Sequence, residues 1–229
     1  MQVALLGVTP DPERLVAAAA RLCYAEAPPA ELLAAMTDEE VRSFLERLVR
    51  MGHLSPLEHA VFTFAISGVS RSLTHELVRH RIASYSQRSQ RYLAEDGFVA
   101  VVPPTIAANP EAAGIFSRAM DGLRQAYTSL LELGIPREDA RFVLPNACES
   151  RLVATMNARS LHNFFALRCC NRAQWEIRTL ASRMLELARQ AAPGLFAAAG
   201  PPCETRGACR EGSLSCGRQL PGGRAGVGR

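Results

Sequence analysis

The sequence predicts an α+β fold, a single domain in which long helices flank a mostly antiparallel sheet, with an irregular C-terminal tail. Segments with helical spacing of apolar residues are interspersed with short segments rich in β-branched and aromatic residues. The 229 residues, 48% of them hydrophobic, suffice for one sizeable core, and no repeat or obvious linker divides them. After Gly200 the chain becomes rich in Gly, Pro and Arg and loses periodicity, so residues 1–200 are predicted as the domain and 201–229 as the tail.

The N-terminal part is predicted to form two strands and three helices. Helix starts are indicated by an Asp-Pro pair, by a Thr-x-x-Glu capping box and by a serine, and Gly52 is a plausible helix stop. The predicted elements are a strand from Gln2 to Leu6, a helix from Asp11 to about Tyr24, a helix from Thr37 to Gly52, a strand from Val61 to Ile66, and a helix capped by Ser70 that buries Leu73 and Leu77.

The C-terminal part is predicted to be mainly helical, with prolines and a glycine marking the element ends. The predicted elements are a strand from Phe98 to Val102, a helix from about Pro110 to Leu133 with Gly134 as its C′ residue, a short helix from Pro136 to about Val143, a strand from Leu152 to Met156, and helices from about Ser160 to Leu167 and from about Ala173 to Ala191.

Composition excludes several classes of function. Every one of the 26 basic residues is Arg, so neither a Schiff-base lysine nor a P-loop lysine is possible. The net charge of +4 lies mostly in the tail, so a broadly basic nucleic-acid surface is not indicated. No secretory signal and no membrane-length apolar run are visible, so we expect a cytoplasmic protein. The seven cysteines are expected to be thiols, and no metal site is expected.

One polar segment, residues 79–92, holds four Arg, one His, three Ser, two Gln and two Tyr and no acidic residue. So many donors could not all be paired in an ordinary core helix. Arginine forks match phosphate oxygens, hydroxyls add neutral donors, and glutamine can read the edge of a base or a flavin. The residues alone leave three uses open: an anion or nucleotide site, a nucleic-acid contact, and a salt-bridge network between subunits.

This segment also carries a recognisable motif, Arg79-His80-Arg81 followed after seven residues by Ser89. It resembles the RHR-x7-S signature of the flavin-dependent thymidylate synthases. Further blocks resemble the family in the same order: Gly52 to His59, Ala140 to Pro145, Asn157 to Phe164 with Leu167-Arg168, and Gln174 to Ile177. The resemblance spans roughly residues 10 to 195.

The resemblance implies a homotetramer with shared active sites that binds deoxyuridylate (dUMP), FAD, methylenetetrahydrofolate and NADPH, and neither nucleic acid nor a membrane. It implies FAD contacts by Ser55, Arg79, His80, Arg81, Gln87, Asn157, Arg159 and Asn163. It implies dUMP contacts by Glu76, Arg79, Gln87, Arg88, Ser89, Gln90, Arg91, Arg141 and Arg168. Gln87 stands where some members carry Glu. The residues that would bind folate and NADPH are not assigned.

Arg168 is the expected catalytic residue. At the pyrimidine edge, its permanently protonated guanidinium could stabilise negative charge developing across N3 and the neighbouring oxygen. Ser89 is expected to bind substrate rather than act as a nucleophile, because no base that could activate it is evident. Two alternatives stay open: a non-catalytic nucleotide- or RNA-binding protein using the Arg79–Arg91 cluster, and a methyltransferase that depends on a cysteine nucleophile.

Overall fold

The computed structural model of the protein describes residues 1–218. Its strands are β1 (Gln2–Val8), β2 (Val61–Ser70), β3 (Ser84–Gln87) and β4 (Glu149–Asn157). Its α-helices are α1 (Pro12–Arg21), α2 (Pro29–Ala35), α3 (Asp38–Met51), α4 (Arg71–Leu77), α5 (Pro104–Ala107), α6 (Pro110–Glu132), α7 (Arg137–Ala140), α8 (Ala158–Arg168), α9 (Trp175–Ala191), α10 (Pro193–Phe196) and α11 (Pro202–Thr205). Short 3₁₀ turns cover Ser55–His59, Arg141–Val143 and Gly212–Leu214.

The strands form one antiparallel sheet in the order β1-β2-β4-β3, which confirms the predicted α+β class. Burial alternates along the two central strands, as expected for a sheet with one face in the core. Phe62, Phe64 and Ile66 of β2 and Ala154 and Met156 of β4 are almost fully buried. Within residues 1–218, no helix is both long and apolar enough to cross a bilayer.

The contacts divide the chain into two compact units, and β2 and β4 contribute residues to both. Unit 1 comprises residues 1–2, 66–79 and 85–153. In unit 1, Phe98, Met120 and Cys148 form a buried cluster, and Arg124 of α6 lies over the Phe98 ring at 4.8 Å. Tyr127 of α6 is fully buried and accepts a hydrogen bond from the Glu95 backbone at 3.3 Å. Helix α6 therefore anchors the segment that follows β3.

Unit 2 comprises residues 3–65, 80–84 and the described residues from Ala154 onward. Its core contains a set of edge-to-face aromatic contacts, in which Phe196 meets Phe62 at 5.1 Å and Phe165 at 5.9 Å. The Ala158 N–H donates to the Ala60 carbonyl at 2.8 Å, which ties the start of α8 to the start of β2. This contact fixes where α8, the helix that carries several predicted site residues, begins.

Most predicted helix boundaries are confirmed, since they depend on local signals. Thr37 and Glu40 form the capping box of α3, and Ser70 caps α4 by accepting from the Leu73 N–H at 3.1 Å. Gly52 and Gly134 have φ values of 77° and 80°, the left-handed conformation expected at helix C-termini.

Other predictions are corrected. The predicted strand Phe98–Val102 is wrong, because only Ala100 pairs, in an isolated bridge with Cys148. Strand β3 and helices α2 and α5 were not predicted. Asp11 does precede α1, but its side chain does not cap the helix and pairs with Arg14 at 3.1 Å instead. The described part of the tail, residues 201–218, is irregular as predicted apart from α11 and one 3₁₀ turn, and residues 219–229 lie outside the described residues.

We expect Thr37→Ala to lower the free energy of unfolding by about 1 kcal/mol, because the α3 N-terminus loses its hydroxyl cap. Urea unfolding followed by circular dichroism measures the change. Ser43→Ala is the matched control, since Ser43 is exposed within the same helix and should leave stability almost unchanged. Equal effects of the two substitutions would contradict a capping role.

Candidate active site

In unit 2, two predicted site residues contact each other: Arg168 at the end of α8, and His80. Arg168, the last residue of α8, donates through Nε to His80 Nε2 at 3.0 Å. Phe164, one turn earlier, lies edge-to-face against the His80 ring at 4.9 Å. The i, i+4 spacing of Phe164 and Arg168 brings both side chains to the same helix face, which explains why both meet His80.

His80 is uncharged at neutral pH. Burial, and to a smaller extent the charge of Arg168, lowers the pKa of His80 to about 4. Because a guanidinium can only donate, Nε2 must be the acceptor, which assigns the ring proton to Nδ1. The imidazole thus orients the Arg168 guanidinium without neutralising its charge.

A second group of predicted residues lies on and beside α8 in the same unit. Asn157 caps the helix, with Oδ1 accepting from the Ser160 N–H at 2.8 Å. Arg159 forms an ion pair with Glu58, which belongs to the 3₁₀ turn that begins at Ser55. Arg159 and Asn163 are exposed and one helical turn apart, so they share a face of α8. Arg81 is also exposed.

In unit 1, the side chain of Gln87 is held by two buried hydroxyls. Its Nε2 donates to Thr74 Oγ1 of α4 at 3.2 Å and to Ser150 Oγ of β4 at 3.0 Å. Thr74 is 1% exposed and Ser150 4% exposed. The predicted site residue therefore lies where β3, β4 and α4 meet. The neighbouring Gln90 donates weakly to the Cys148 sulfur at 3.6 Å.

Two predicted phosphate ligands of unit 1, Arg91 and Arg141, contact Glu138, and a third, Ser89, contacts Arg91. Arg91 donates through Nε to the Glu138 carboxylate at 2.9 Å, while Arg141 Nε donates to the Glu138 backbone carbonyl at 3.0 Å. The Ser89 hydroxyl accepts from the Arg91 backbone N–H at 3.2 Å. The Arg91–Glu138 pair is about half exposed on both sides. Such a pair is weak in water, worth about 0–1 kcal/mol, so a phosphate could replace its carboxylate.

Arg88 points to a different partner. Its Nε lies 3.2 Å from Glu95 Oε1, and the Glu95 side chain is only 6% exposed. The Nε–H makes no well-aligned hydrogen bond, so the contact is mainly electrostatic, while Nη2 donates to the Ala94 carbonyl at 3.4 Å. Burial raises the pKa of Glu95, and Arg88 acts in the opposite direction. Removing Arg88 from this partly buried pair would cost more than opening the exposed Arg91 pair.

The remaining predicted residues lie at the end of α4. Glu76 is half-buried, and its backbone carbonyl accepts from the Arg79 N–H at 3.3 Å; the Arg79 side chain is exposed. Sequence reasoning assigned no role to Thr74, Ser150 or Glu138. Thr74 and Ser150 lie 13 and 63 positions from Gln87, so no local spacing pattern could have linked them to it.

We expect the neutral His80 to make the protein less stable in acid. The unfolded state takes up the His80 proton near its ordinary pKa of about 6.5, whereas the folded state resists until about pH 4. The stabilisation is therefore complete above about pH 6.5 and is lost as pH falls towards about 4. Urea midpoints at pH 7.5 and 5.0 should differ more for the native protein than for His80→Gln. An equal difference in both proteins would contradict the lowered pKa.

Comparisons with known proteins identify the family of this chain. A family model described as "Thymidylate synthase complementing protein" matches residues 4–194. A flavin-dependent thymidylate synthase of Geobacter sulfurreducens is 53% identical over 220 residues, covering 95% of this chain and 94% of the relative. A flavin-dependent thymidylate synthase of Clostridium tetani is 48% identical over 234 residues, covering 95% of this chain and 94% of the relative. One of Pyrococcus abyssi is 42% identical over 224 residues, covering 93% of this chain and 91% of the relative. The chain belongs to the flavin-dependent thymidylate synthase family.

Proposed function

We propose that the protein methylates dUMP to thymidylate, with methylenetetrahydrofolate as the carbon donor, FAD as the hydride carrier and NADPH as the reductant. The observation that carries this proposal is the hydrogen bond from Arg168 to a neutral His80. Methylation at C5 of uracil needs extra electron density in the ring, and a preoriented cation stabilises that density. The names of the relatives support the same reaction.

Arg168 would act as an electrostatic stabiliser and not as a proton donor, because a guanidinium stays protonated at any working pH. His80 accepts from Nε, which fixes the direction of the guanidinium plane that would meet the pyrimidine edge. Holding the charge in place before the substrate arrives reduces the reorganisation needed during the reaction. His80 is therefore an orienting residue for Arg168 in this proposal.

The donors on and around α8 suit a flavin dinucleotide. FAD carries a pyrophosphate and a ring edge with both donors and acceptors, and Arg159, Asn163 and Arg81 offer charged and amide groups on exposed surface. When bound, FAD would supply the hydride that converts the transferred methylene group into a methyl group. The remaining proposed flavin contacts are Ser55, Arg79, His80, Gln87 and Asn157.

The nucleotide phosphate would be held by Arg91, Arg141 and Ser89; Arg91 and Arg141 both contact Glu138, and Ser89 contacts the Arg91 backbone. A phosphate dianion could take the place of the Glu138 carboxylate on Arg91 and gain charge-assisted hydrogen bonds. Glu76, Arg79, Gln90 and Gln87 are the remaining proposed nucleotide contacts. For Arg88 the contacts favour an indirect role, since its guanidinium is paired with Glu95.

Two of the seven thiols, Cys148 and Cys169, fit a cysteine-dependent route poorly. Burial raises the pKa of both Cys148 and Cys169 to about 11, whereas a nucleophilic cysteine needs an accessible thiolate.

The alternative of a non-catalytic nucleotide- or RNA-binding protein predicts oligonucleotide affinity with a steep salt dependence and no flavin. The homotetramer, the cytoplasmic location and the division at residue 200 stay predictions.

The absorption spectrum of the purified protein tests the proposal. We expect a yellow protein, or one that becomes yellow on addition of FAD, with a flavin band that bleaches under NADPH and shifts when dUMP is added. Colourless protein that fails to take up added FAD would contradict the proposal. Oligonucleotide binding without any flavin uptake would favour the RNA-binding alternative.

We expect Arg168→Ala to lower turnover by roughly 100-fold or more, because the developing negative charge loses its stabilising cation. The affinity for dUMP should fall much less, since the contact strengthens in the transition state. Steady-state kinetics and dUMP titrations measure the two effects. Arg172→Ala is the control, because Arg172 is exposed and only pairs loosely with Glu211 at 3.9 Å. Equal losses of turnover and affinity would argue against a transition-state role.

We expect Arg91→Ala to weaken dUMP binding roughly 10- to 100-fold, because the phosphate loses a charge-assisted hydrogen bond. FAD affinity should change by less than about twofold. Separate titrations with each ligand measure both values. Arg118→Ala is the control, since Arg118 is an exposed residue of α6. Parallel loss of FAD and dUMP binding would contradict the assignment of Arg91 to the nucleotide.

A further inference from the structure

Two buried hydroxyls of unit 1, those of Thr74 and Ser150, both meet the same atom of Gln87. The distances are 3.2 Å and 3.0 Å from Gln87 Nε2. The three side chains come from three different elements, α4, β4 and β3, and the two hydroxyl residues are almost completely buried. An arrangement with two hydroxyls on one amide nitrogen constrains both the position and the rotation of the amide.

The proton of Thr74 decides which way the amide is turned. Thr74 Oγ1 donates its one proton to the Arg71 backbone carbonyl at 3.0 Å. The same oxygen can then only accept from Gln87, so the amide atom facing it must be the NH₂ group. The opposite orientation would place the Gln87 carbonyl oxygen against a Thr74 lone pair. The orientation of the Gln87 amide therefore follows from which atoms can donate and which can accept, and not from the assigned positions of its oxygen and nitrogen.

The consequence is a fixed acceptor. With Nε2 held by Thr74 and Ser150, the carbonyl oxygen Oε1 of Gln87 faces away from both hydroxyls. Within residues 1–218, no hydrogen bond is made to Oε1. The only fully buried side-chain nitrogen or oxygen without a hydrogen bond in this range is Arg88 Nε, so Gln87 Oε1 is at least partly exposed. An accessible amide oxygen whose rotation is blocked can accept a hydrogen bond from a ligand but cannot donate one.

We infer that Thr74 and Ser150 are positioning residues that present Gln87 Oε1 as an acceptor to an N–H or O–H donor of the bound nucleotide or flavin. This inference rests on the proposed function and deepens it, since it specifies the polarity with which Gln87 reads its ligand. Selectivity follows, because a ligand that offers only an acceptor at this point leaves two acceptors facing each other.

Two substitutions distinguish a role of Thr74 in orienting Gln87, which needs the hydroxyl, from a role in packing, which needs the size and shape of the side chain. Thr74→Val keeps the shape of the side chain and removes the hydroxyl, so a packing role survives and the amide loses its orientation. Thr74→Ser keeps the hydroxyl and removes a methyl group, so packing suffers and the amide stays oriented. The two substitutions therefore give opposite predictions for the two roles.

The experiment measures the dissociation constants of FAD and of dUMP for the full-length protein carrying each substitution. We expect Thr74→Val to weaken one of the two ligands roughly 3- to 10-fold, while Thr74→Ser leaves both within about twofold of the native protein. The titration that changes identifies which ligand supplies the donor. Thr63→Val is the matched control, since Thr63 shares a half-buried hydroxyl contact with Thr155 at 3.0 Å in unit 2 and should change neither ligand.

A double-mutant cycle shows whether Thr74 acts through Gln87. In a Gln87→Leu background the effect of Thr74→Val on ligand binding should vanish, because no amide remains to be oriented. Ser150→Ala provides a second route to the same loss and should likewise weaken the affected ligand.

The outcomes separate this inference from the proposed function. If the native protein binds neither FAD nor dUMP, the proposed function and the inference both fall. If the native protein binds both ligands but Thr74→Val is indistinguishable from it, or Thr74→Ser is as impaired as Thr74→Val, the inference alone is overturned. An unchanged effect of Thr74→Val in the Gln87→Leu background would also overturn it.

Discussion

The interaction on which the site depends is the hydrogen bond that His80 accepts from Arg168. An arginine has five donors and no acceptor, so its guanidinium keeps a fixed direction only where an acceptor holds it. A carboxylate would hold it but would also cancel much of its charge. A neutral imidazole holds it without adding an opposing charge, and burial keeps His80 neutral by lowering its pKa to about 4.

The same rule of donors and acceptors shapes the polar segment after α4 in unit 1. Gln87 is oriented by the hydroxyls of Thr74 and Ser150, and Arg91 is held by Glu138 at the surface. These contacts differ in how readily they open. The Gln87 contacts are made by buried partners and should persist, whereas the half-exposed Arg91–Glu138 pair should open readily and, in the proposed function, exchange its carboxylate for a phosphate. Rigid orientation and an exchangeable anion contact thus lie within one short segment.

Local features of the fold could be predicted from sequence because their causes are local. The capping box at Thr37 and Glu40 and the left-handed Gly134 each depend on neighbours within one helical turn. The strand predicted at Phe98–Val102 failed because β-branched composition cannot show how far pairing with a neighbour extends, and here it is limited to a single bridge. Strand β3 was not predicted because Ser84–Gln87 is polar and its place beside β4 depends on tertiary pairing.

The candidate site follows the same division. The motif residues Arg79, His80, Arg81 and Ser89 could be identified from their spacing; the chemical types of their side chains suggested an anion site, and the family resemblance suggested flavin binding. The contacts of the segment could not, because Ser150 lies 63 positions from Gln87 and Arg168 lies 88 positions from His80. Spacing within a motif therefore indicated the ligands, whereas the orientation of each side chain depends on residues that only the fold brings near.

The protonation state of the His80 ring is the most direct test of this account. Nitrogen NMR of protein labelled at its histidines, with His80→Gln used to assign the signal, reports the tautomer and its titration. We expect a neutral ring with the proton on Nδ1 that stays uncharged from pH 7 down to about pH 5, in keeping with its pKa of about 4. A ring that carries its proton on Nε2, or that titrates with an ordinary pKa of about 6.5, would contradict the account.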